Sequence, residues 1–543
     1  MVLASPAVPA SALFVMGQPV APWIVPCIVA LVAYASWRQH GRAARAHIGG
    51  AALIVGAACL ISASFFDLSF DGQTYHQVAA RAIAGGWNPV WQSRDAAAWA
   101  GGLYVEALPK GAWLLFALVS RTSGNLELAK SVQFIAMAGA FLLSWSALES
   151  IGVRRRAAVA IAALTAANPV ALTQLLTFYV DGLVASSLTM LIAVVILLAV
   201  TRQRRWAVAA VLLFSLLATI KFPATLWALL VGATGVGLAA TRARARVRQA
   251  IALAAVACGT TLLEGINPFA TNALHHGHPL YPAAGPNAIQ NVVHFDPTFA
   301  ARSRLSQLTI SLLARSSDND SQPPRLKVPL SVHAAELAAF TTVDTRIGGW
   351  GPLFGGILLA AFIALAAALA SKAPRAPALA LFSTCVATSA LIIPFGHYSR
   401  YAPHLWLAGV AALLIDELRG RATKLIALLM ATNLTIVGGV AIGSQVLHER
   451  LHRQQLRGIA DAAHGDTITV AGIGPFVNVD LHFRAYGIRY QFVDALTCDQ
   501  PARLLKTHAR ICLSGGRSPA PEPQLLPELK RSLPRALTAQ FIP

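Results

Sequence analysis

Twelve long apolar runs, separated by polar connections, dominate this sequence and restrict what it can fold into. A helix needs about 20 apolar residues to cross the hydrocarbon core of a bilayer, and these runs come close to that length. Only 12% of the 543 residues are charged and 56% are apolar, whereas about a quarter of a soluble domain is charged. The pattern predicts an all-α polytopic membrane protein with about 12 transmembrane helices.

The predicted spans are residues 22–37, 48–66, 132–148, 157–172, 183–200, 206–220, 224–240, 250–263, 352–369, 376–394, 401–414 and 425–446.

Every second connection between these spans is short and basic. The basic residues are Arg38, Arg42 and Arg45; Arg154, Arg155 and Arg156; Arg202, Arg204 and Arg205; Arg242, Arg244, Arg246 and Arg248; Lys372 and Arg375; and Arg419, Arg421 and Lys424. Basic connections stay in the cytoplasm, so both termini are predicted to lie outside. Clusters of this kind account for the net charge of +20 by membrane anchoring, and we expect no nucleic-acid partner.

The other connections are long and hold the unusual polar residues. Two of them, 67–130 and 267–351, are predicted as external loops of a membrane domain covering 1–446. The remaining 447–543 alternates β-like runs, at 467–471, 488–493 and 510–513, with polar helical stretches, which predicts a small external α/β domain. Cys498 and Cys512 could pair there if the compartment is oxidising.

Candidate catalytic carboxylates lie where spans end on the predicted outer side. Asp67 and Asp71 follow the second span, and Asp181 begins the fifth. Tyr75 and His76 open an amphipathic helix just after Asp71. Asp71 and Asp181 can each be a helix N-cap, and a carboxylate held at this surface can instead be a general base that takes a proton from an acceptor hydroxyl.

Candidate cations lie on the same predicted side, where basic residues are disfavoured. They are Lys221, Arg346 and Arg400, and the neighbouring polar residues are Asp344, His397 and Tyr401. A lysine at this position either extends to the lipid headgroups or binds an anion. A guanidinium matches phosphate geometry in a bidentate manner, so this set favours a lipid-carried phosphate.

The loop from 267 begins next to an acidic residue, Glu264, and contains His278 and Tyr281 within a histidine-rich stretch. Glu264 is costly near a span end unless it is paired. Closely spaced histidines allow a metal site but rarely share one ion without a carboxylate. We expect no cofactor, with a divalent metal ion left open.

The ordered set of these motifs resembles the GT-C glycosyltransferases, which include protein O-mannosyltransferases and the lipid A aminoarabinose transferase. The resemblance covers most of 48–414. It is carried by Asp71 before a surface helix, Tyr179-Val180-Asp181-Gly182, Lys221-Phe222, Asn267-Pro268 with His278-Pro279-Leu280-Tyr281-Pro282, and Ser399-Arg400-Tyr401-Ala402-Pro403.

The resemblance implies transfer of a sugar from a polyprenyl-phosphate donor to a periplasmic glycan, lipid or protein acceptor, in a bacterial inner membrane. Asp71 matches the family's general base, while Arg400 and Lys221 match its phosphate-binding residues by place. Relatives carry Asp-Glu where this chain has Asp71-Gly72, and an extra span precedes the first family-like helix, so Asp71 and Asp67 both remain candidates. The implied substrate-binding residues are Tyr75, His76, Lys221, Glu264, His278, Tyr281, Asp344, Arg346, His397, Arg400 and Tyr401.

Two other functions are compatible with a polytopic membrane protein. A transporter or flippase places polar residues near the bilayer midplane, whereas the polar residues here gather at one end of the spans. A polysaccharide polymerase or ligase of the cell envelope differs mainly in its acceptor and in using pyrophosphate-linked donors, so the sequence does not separate it from the first function.

Overall fold

The computed structural model describes residues 4–94, 101–240, 244–289, 296–498, 500–513 and 531. It is mostly helical, with one small sheet near the C-terminus. Arg242 and most of the predicted domain beyond residue 513 lie outside the described residues.

The α-helices are α1 (Ala7–Val15), α2 (Ile24–His40), α3 (Ala44–Ala63), α4 (Gln77–Ala84), α5 (Gly102–Ala107), α6 (Gly111–Ser123), α7 (Ser131–Ser150), α8 (Arg155–Ala166), α9 (Pro169–Thr173), α10 (Asp181–Thr201), α11 (Arg204–Ile220), α12 (Phe222–Ala240), α13 (Arg244–Glu264), α14 (Thr271–His276), α15 (Pro297–Ala300), α16 (Arg304–Leu313), α17 (Ala334–Ala339), α18 (Phe354–Ala370), α19 (Ala376–Ser389), α20 (Trp406–Leu413), α21 (Arg421–Ala463) and α22 (Val479–Ala485). The strands are β1 (Ile468–Ala471), β2 (Tyr490–Phe492), β3 (Ala502–Arg503) and β4 (Arg510–Cys512).

Each predicted span overlaps one or two of these helices, although fewer helices are long enough to cross a membrane than the sequence predicted. Five of the described helical stretches have the necessary length and apolar composition, and they are Ile24–Ala63, Glu127–Ser150, Asp181–Thr201, Val247–Glu264 and Arg421–Ala463. The other apolar helices are shorter, among them α18 and α19. The helical class is confirmed, whereas the number of twelve spans is not.

Large apolar side chains are exposed on several of these helices. Leu53 on α3 is 74% exposed and Leu60 is 72% exposed, while Leu262 on α13 and Leu428 on α21 are exposed to more than 60%. Soluble proteins rarely leave contiguous apolar surface of this kind in water. The exposed side chains therefore mark outward helix faces that need an apolar surrounding.

Three of the basic connections meet at one end of the helices. The Arg375 guanidinium contacts Glu417 at 2.6 Å. Ahead of α8, the backbone N–H of Arg154 donates to the Glu417 carboxylate at 3.2 Å, and its guanidinium donates to the Glu417 carbonyl at 3.0 Å. Glu417 itself precedes Arg419 and Arg421, so connections predicted to share one side of a membrane do lie together.

The last long helix, α21, continues beyond the predicted end at residue 446 as one 43-residue helix. Its C-terminal half turns Leu456 and Ile459 onto the sheet, where they are almost fully buried. The sheet order is β2-β1-β4-β3, with β1 and β2 parallel and the other pairs antiparallel. α21 is therefore a helical layer of the predicted α/β domain, which begins within this helix rather than after it.

The α/β domain is tied to the helical domain and braced internally. Arg81 on α4 forms a bidentate ion pair with Asp480 on α22, at 2.7 and 2.8 Å. Cys498 and Cys512 form a disulfide, as their place in the polar tail allowed. The ion pair attaches the small domain to α4, while the disulfide joins β4 to the segment that precedes β3.

Candidate functional site

The site is built around Asp71, which begins a short π-helix, Gly72–His76, between α3 and α4. The Asp71 side chain makes no capping hydrogen bond to this helix. Its Oδ2 instead accepts hydrogen bonds at 3.0 Å from the Tyr75 hydroxyl and from Nη1 of Arg400. Local π-helical turns occur often at functional sites, and the carboxylate here bonds to two side chains rather than to the backbone N–H groups of the helix end.

Arg400 connects two carboxylates that are far apart in the sequence. Its Nη1 lies 3.0 Å from Oδ2 of Asp71 and 3.0 Å from Oδ1 of Asp344. The guanidinium also lies over the rings of Tyr179 and Tyr401, at 5.7 and 5.3 Å from the centroids. Only 15% of the Arg400 side chain is exposed, so one partly desolvated cation holds two acidic groups in place.

A second arginine extends this network. Arg346 contacts Asp344 at 3.2 Å and Asp320 at 2.8 Å, and Asp320 also accepts a hydrogen bond from the Tyr398 hydroxyl. Burial raises the pKa of Asp344, and the Arg400 charge opposes that rise. The two arginines and three carboxylates form a continuous ion-pair chain along one side of the site.

These groups line a cavity of about 570 Å³, a size typical of small-molecule sites. Its apolar wall consists of Phe65, Phe66, Leu68, Phe70 and Leu176. Its polar wall includes Asp71, Tyr179, Asp318, Asp344, Arg346, Arg400 and His448. A third wall comes from the α/β domain and consists of Phe476, Arg503, Leu505, Lys506, Thr507 and His508.

Asp67 is fully buried and does not line this cavity. Its carboxylate accepts hydrogen bonds from the backbone N–H groups of Phe178 at 2.7 Å and Ser69 at 2.8 Å. Burial raises the pKa of Asp67 to about 6, against the opposing charge of Lys130. These contacts make Asp67 a brace between the loop after α3 and the loop before α10. Asp67 is thus enclosed by protein, whereas Asp71 lines the cavity.

Asp181 and Lys221 form an ion pair beside the cavity. Asp181 is buried at the start of α10 and also accepts a hydrogen bond from Gln174 at 3.3 Å. The Lys221 ammonium lies 4.0 Å from the centroid of the Tyr401 ring. Neither charged group lines the cavity, so the pair supports Tyr401, which in turn lies under Arg400.

His76 is buried behind Tyr75, and its Nδ1 accepts a hydrogen bond from the Trp113 indole at 2.7 Å. Burial lowers its pKa to about 3. The imidazole is therefore neutral at ordinary pH and supports the Asp71 helix as a packed aromatic group.

Four other predicted binding residues lie away from the cavity: Glu264, His278, Tyr281 and His397. Glu264 is buried and accepts a hydrogen bond from Thr219 at 3.3 Å. Nδ1 of His278 accepts a hydrogen bond from the Leu280 N–H, and the Tyr281 ring stacks on a neighbouring histidine. Burial lowers the pKa of His397 to about 4. Within the described ranges, no three His, Cys, Asp or Glu residues are grouped closely enough to hold a metal ion.

Several residues of the cavity and of the ion-pair chain beside it were not singled out from the sequence. Asp318 and Asp320 lie in an acidic stretch of the predicted loop 267–351, and that composition was the one available signal for them. The residues of the α/β domain, including Lys506, carry no periodic or motif signal. They reach the cavity through the packing of the sheet beside α3.

Comparison with known proteins gives no match, either with a protein-family model or with a curated protein. The resemblance of the ordered motifs to GT-C enzymes stays a prediction.

Proposed function

We propose that this chain is an integral membrane glycosyltransferase that transfers a sugar from a polyprenyl-phosphate donor to an acceptor on the non-cytoplasmic side. One observation carries the proposal. A cavity with an apolar wall holds a carboxylate, Asp71, paired with a phosphate-compatible cation, Arg400, just beyond a long apolar helix.

The surface and the charge pattern support a membrane location. In the most apolar 18-residue stretch of Ile24–Ala63, only 11% of the residues are buried within the protein. The same fraction is buried in Val247–Glu264. Lipid around these helices removes an apolar surface that water would not tolerate. The basic connections gathered at Glu417 support a cytoplasmic end opposite the cavity. The Cys498–Cys512 disulfide supports an oxidising compartment for the α/β domain.

The cavity walls support a lipid-linked donor. The apolar wall, from Phe65 to Phe70, directly continues the chain from the end of α3, where a helix of this length would leave the hydrocarbon core. A polyprenyl chain can pack on this wall while its phosphate meets Arg400 and Arg346 on the polar wall. A water-soluble nucleotide sugar has no lipid chain that would pack on the apolar wall.

Arg400 has a defined role in this chemistry. Its charge is shared by Asp71 and Asp344. A donor phosphate competes for the same guanidinium, because charge-assisted bonds from arginine to phosphate are among the strongest in proteins. Phosphate binding then frees Asp71, which keeps its hydrogen bond from Tyr75 and so keeps its orientation.

Asp71 acts as the general base in the transfer step. It takes the proton of the acceptor hydroxyl as that oxygen bonds to the anomeric carbon. The bond from the anomeric carbon to the lipid phosphate oxygen breaks, and the phosphate leaves with the bonding electrons. Arg400 and Arg346 stabilise the negative charge that develops on it.

The test uses purified protein in detergent with a panel of polyprenyl-phosphate sugars, and donor consumption is measured. Asp71→Asn keeps the size of the side chain but removes the base, so we expect turnover to fall by about 100-fold or more, with Tm near that of the unsubstituted protein. Asp461→Asn, an exposed carboxylate on α21, is the matched control. Full turnover by Asp71→Asn would remove the base assignment, and an unsubstituted protein that neither binds nor turns over any donor would refute the function.

A further inference from the structure

The α/β domain inserts a hairpin into the cavity. This hairpin joins β3 to β4 through residues 504–509 and is closed by the Leu504 N–H, which donates to the Ala509 carbonyl at 2.9 Å. The Thr507 side chain and backbone both donate to the Leu504 carbonyl and fix the turn. Four consecutive residues of the turn, from Leu505 to His508, line the cavity. The domain therefore forms a wall of the site.

Lys506, at the tip of this hairpin, has a backbone φ of +58°. A residue with a Cβ is strained in this left-handed conformation, whereas glycine adopts it freely. The Lys506 carbonyl accepts a hydrogen bond from the Gln73 side chain at 3.1 Å, and Gln73 lies two residues after Asp71. The position is thus attached to the same short helix that presents the proposed base.

Within the described ranges, the charge of Lys506 is not matched by an ion pair. Arg346 and Arg400 each contact carboxylates, but for Lys506 and Arg503 no carboxylate among the described residues lies within 4 Å. Asp318 interacts electrostatically with Lys506, since Arg346 and Lys506 both lower the pKa of Asp318 while burial raises it. Burial also lowers the pKa of Lys506 itself. A half-buried ammonium of this kind is stabilised by an anion that enters the cavity.

A second groove, of about 730 Å³, meets the cavity at Arg503 and His508 and continues to Arg510. A water-soluble ligand can reach Lys506 along this groove, while a lipid-linked one reaches it along the apolar wall. A phosphate group can therefore reach Lys506 either on a water-soluble ligand or on a lipid-linked one.

We infer that Lys506, supported by Arg503, binds a phosphate group of the substrate from the side of the cavity facing Arg400 and Arg346. The inference rests on the proposed function and deepens it. The α/β domain then takes part in substrate binding. Phosphate binding by the Lys506 ammonium also explains why a lysine occupies a strained hairpin position that glycine would adopt freely.

The test measures binding by calorimetry to the purified full-length protein in detergent, with farnesyl phosphate and inorganic pyrophosphate as the two probes. We expect Lys506→Gly and Lys506→Met to lose about 10-fold or more in affinity for at least one probe, because each removes a charged hydrogen-bond donor. Arg489→Gln, an exposed cation elsewhere on the same domain, is the control and should bind both probes normally. Lys506→Gly should melt at the same or a higher temperature, since glycine relieves the strained φ.

The outcomes separate the possibilities. A loss confined to farnesyl phosphate assigns the site to a lipid-linked phosphate, and a loss with both probes extends it to soluble phosphates. Normal affinity of both Lys506 variants for both probes would overturn the inference and leave the lysine as a turn residue, without affecting Asp71 as the base. An unsubstituted protein that binds neither probe would refute the proposed function, and this inference with it.

Discussion

Replacing Arg400 by glutamine removes the cation that holds two carboxylates in the cavity. Asp71 and Asp344 would then face each other without their shared partner, with side chains that are only 15% and 21% exposed. Loss of one partner from a buried ion pair costs about 3–5 kcal/mol, and the partial exposure places the expected loss at about 3 kcal/mol. With an unfolding entropy near 2 cal/mol/K per residue, this corresponds to a fall in Tm of roughly 3 °C for the 543 residues.

The loss of stability caused by Arg400→Gln should depend on pH. Burial already raises the pKa of Asp344 above its ordinary value of 3.8, and Arg400 opposes that rise, so removing the arginine raises it further. A carboxylate with a raised pKa in the folded state costs stability above that pKa and none below the unfolded value. The difference in Tm between Arg400→Gln and the unsubstituted protein should therefore shrink as the pH falls from neutral to about 5.

Thermal unfolding of the purified protein, followed by intrinsic fluorescence, measures both effects. Arg154→Gln is the control, because that arginine is half exposed and its contact with Glu417 is worth about 1 kcal/mol or less. Adding Asp344→Asn to Arg400→Gln should recover part of the lost stability, since it removes one of the two facing charges. A Tm deficit that is independent of pH and is not reduced by Asp344→Asn would refute the shared ion pair.

Three further predictions concern the brace and the acid sensitivity of the fold. Asp67→Ala removes the acceptor of the Phe178 N–H and should lower the free energy of unfolding by about 1–3 kcal/mol, while the folded fraction keeps its donor affinity in a binding assay. Gly72→Ala would place a Cβ 1.9 Å from Oδ2 of Asp67 and should reduce the yield of monodisperse protein in gel filtration, whereas Gly439→Ala, with open space around its Cβ, should not. Burial lowers the pKa of His482 from 6.5 to about 3, so this imidazole alone should lower α/β-domain stability by about 1.4 kcal/mol per pH unit as the pH drops below 6.5. Hydrogen exchange within that domain measures the slope, and His482→Asn should reduce it.

Hydropathy and charge predicted the helical class and the side on which the basic connections gather, but not the number of helices long enough to cross a membrane. Long apolar runs form helices because their backbone groups must be satisfied internally in lipid, and the alternation of basic connections set which loops meet. Asp71 and Arg400 are 329 residues apart in the sequence, yet both were assigned to the same side, and the structure joins them by an ion pair. Asp344 and Arg346 were assigned to that side as well and lie in the same cavity.

The division of roles among the carboxylates could not be predicted in the same way. Asp67 and Asp71 both follow the end of one apolar helix, and their local sequence signals are alike. Only the short π-helix and the Phe178 N–H, supplied from a distant loop, turn Asp67 into a buried brace and leave Asp71 at the cavity. The position of Lys221 likewise left lipid-headgroup contact and anion binding open, and its ion pair with Asp181 depends on tertiary packing that the sequence does not encode.

The contribution of the α/β domain was also out of reach of the sequence. The strands β1, β2 and β4 were predicted from their apolar composition, and β3 was not. Which hairpin would enter the cavity depends on how the sheet packs on α21 and on single contacts such as Gln73 to Lys506. No periodic pattern encodes contacts of this kind.

The central claim is that the cavity beside Asp71 binds a lipid-linked phosphate, with the lipid on the apolar wall. Photolabelling of the purified protein with a benzophenone-bearing farnesyl phosphate, followed by peptide mass spectrometry, tests it most directly. We expect labelling of the segment from Phe65 to Phe70, which unlabelled polyprenyl phosphate should compete away and Arg400→Gln should abolish. Labelling only on outward helix faces, unchanged by competitor and by the loss of Arg400, would contradict it.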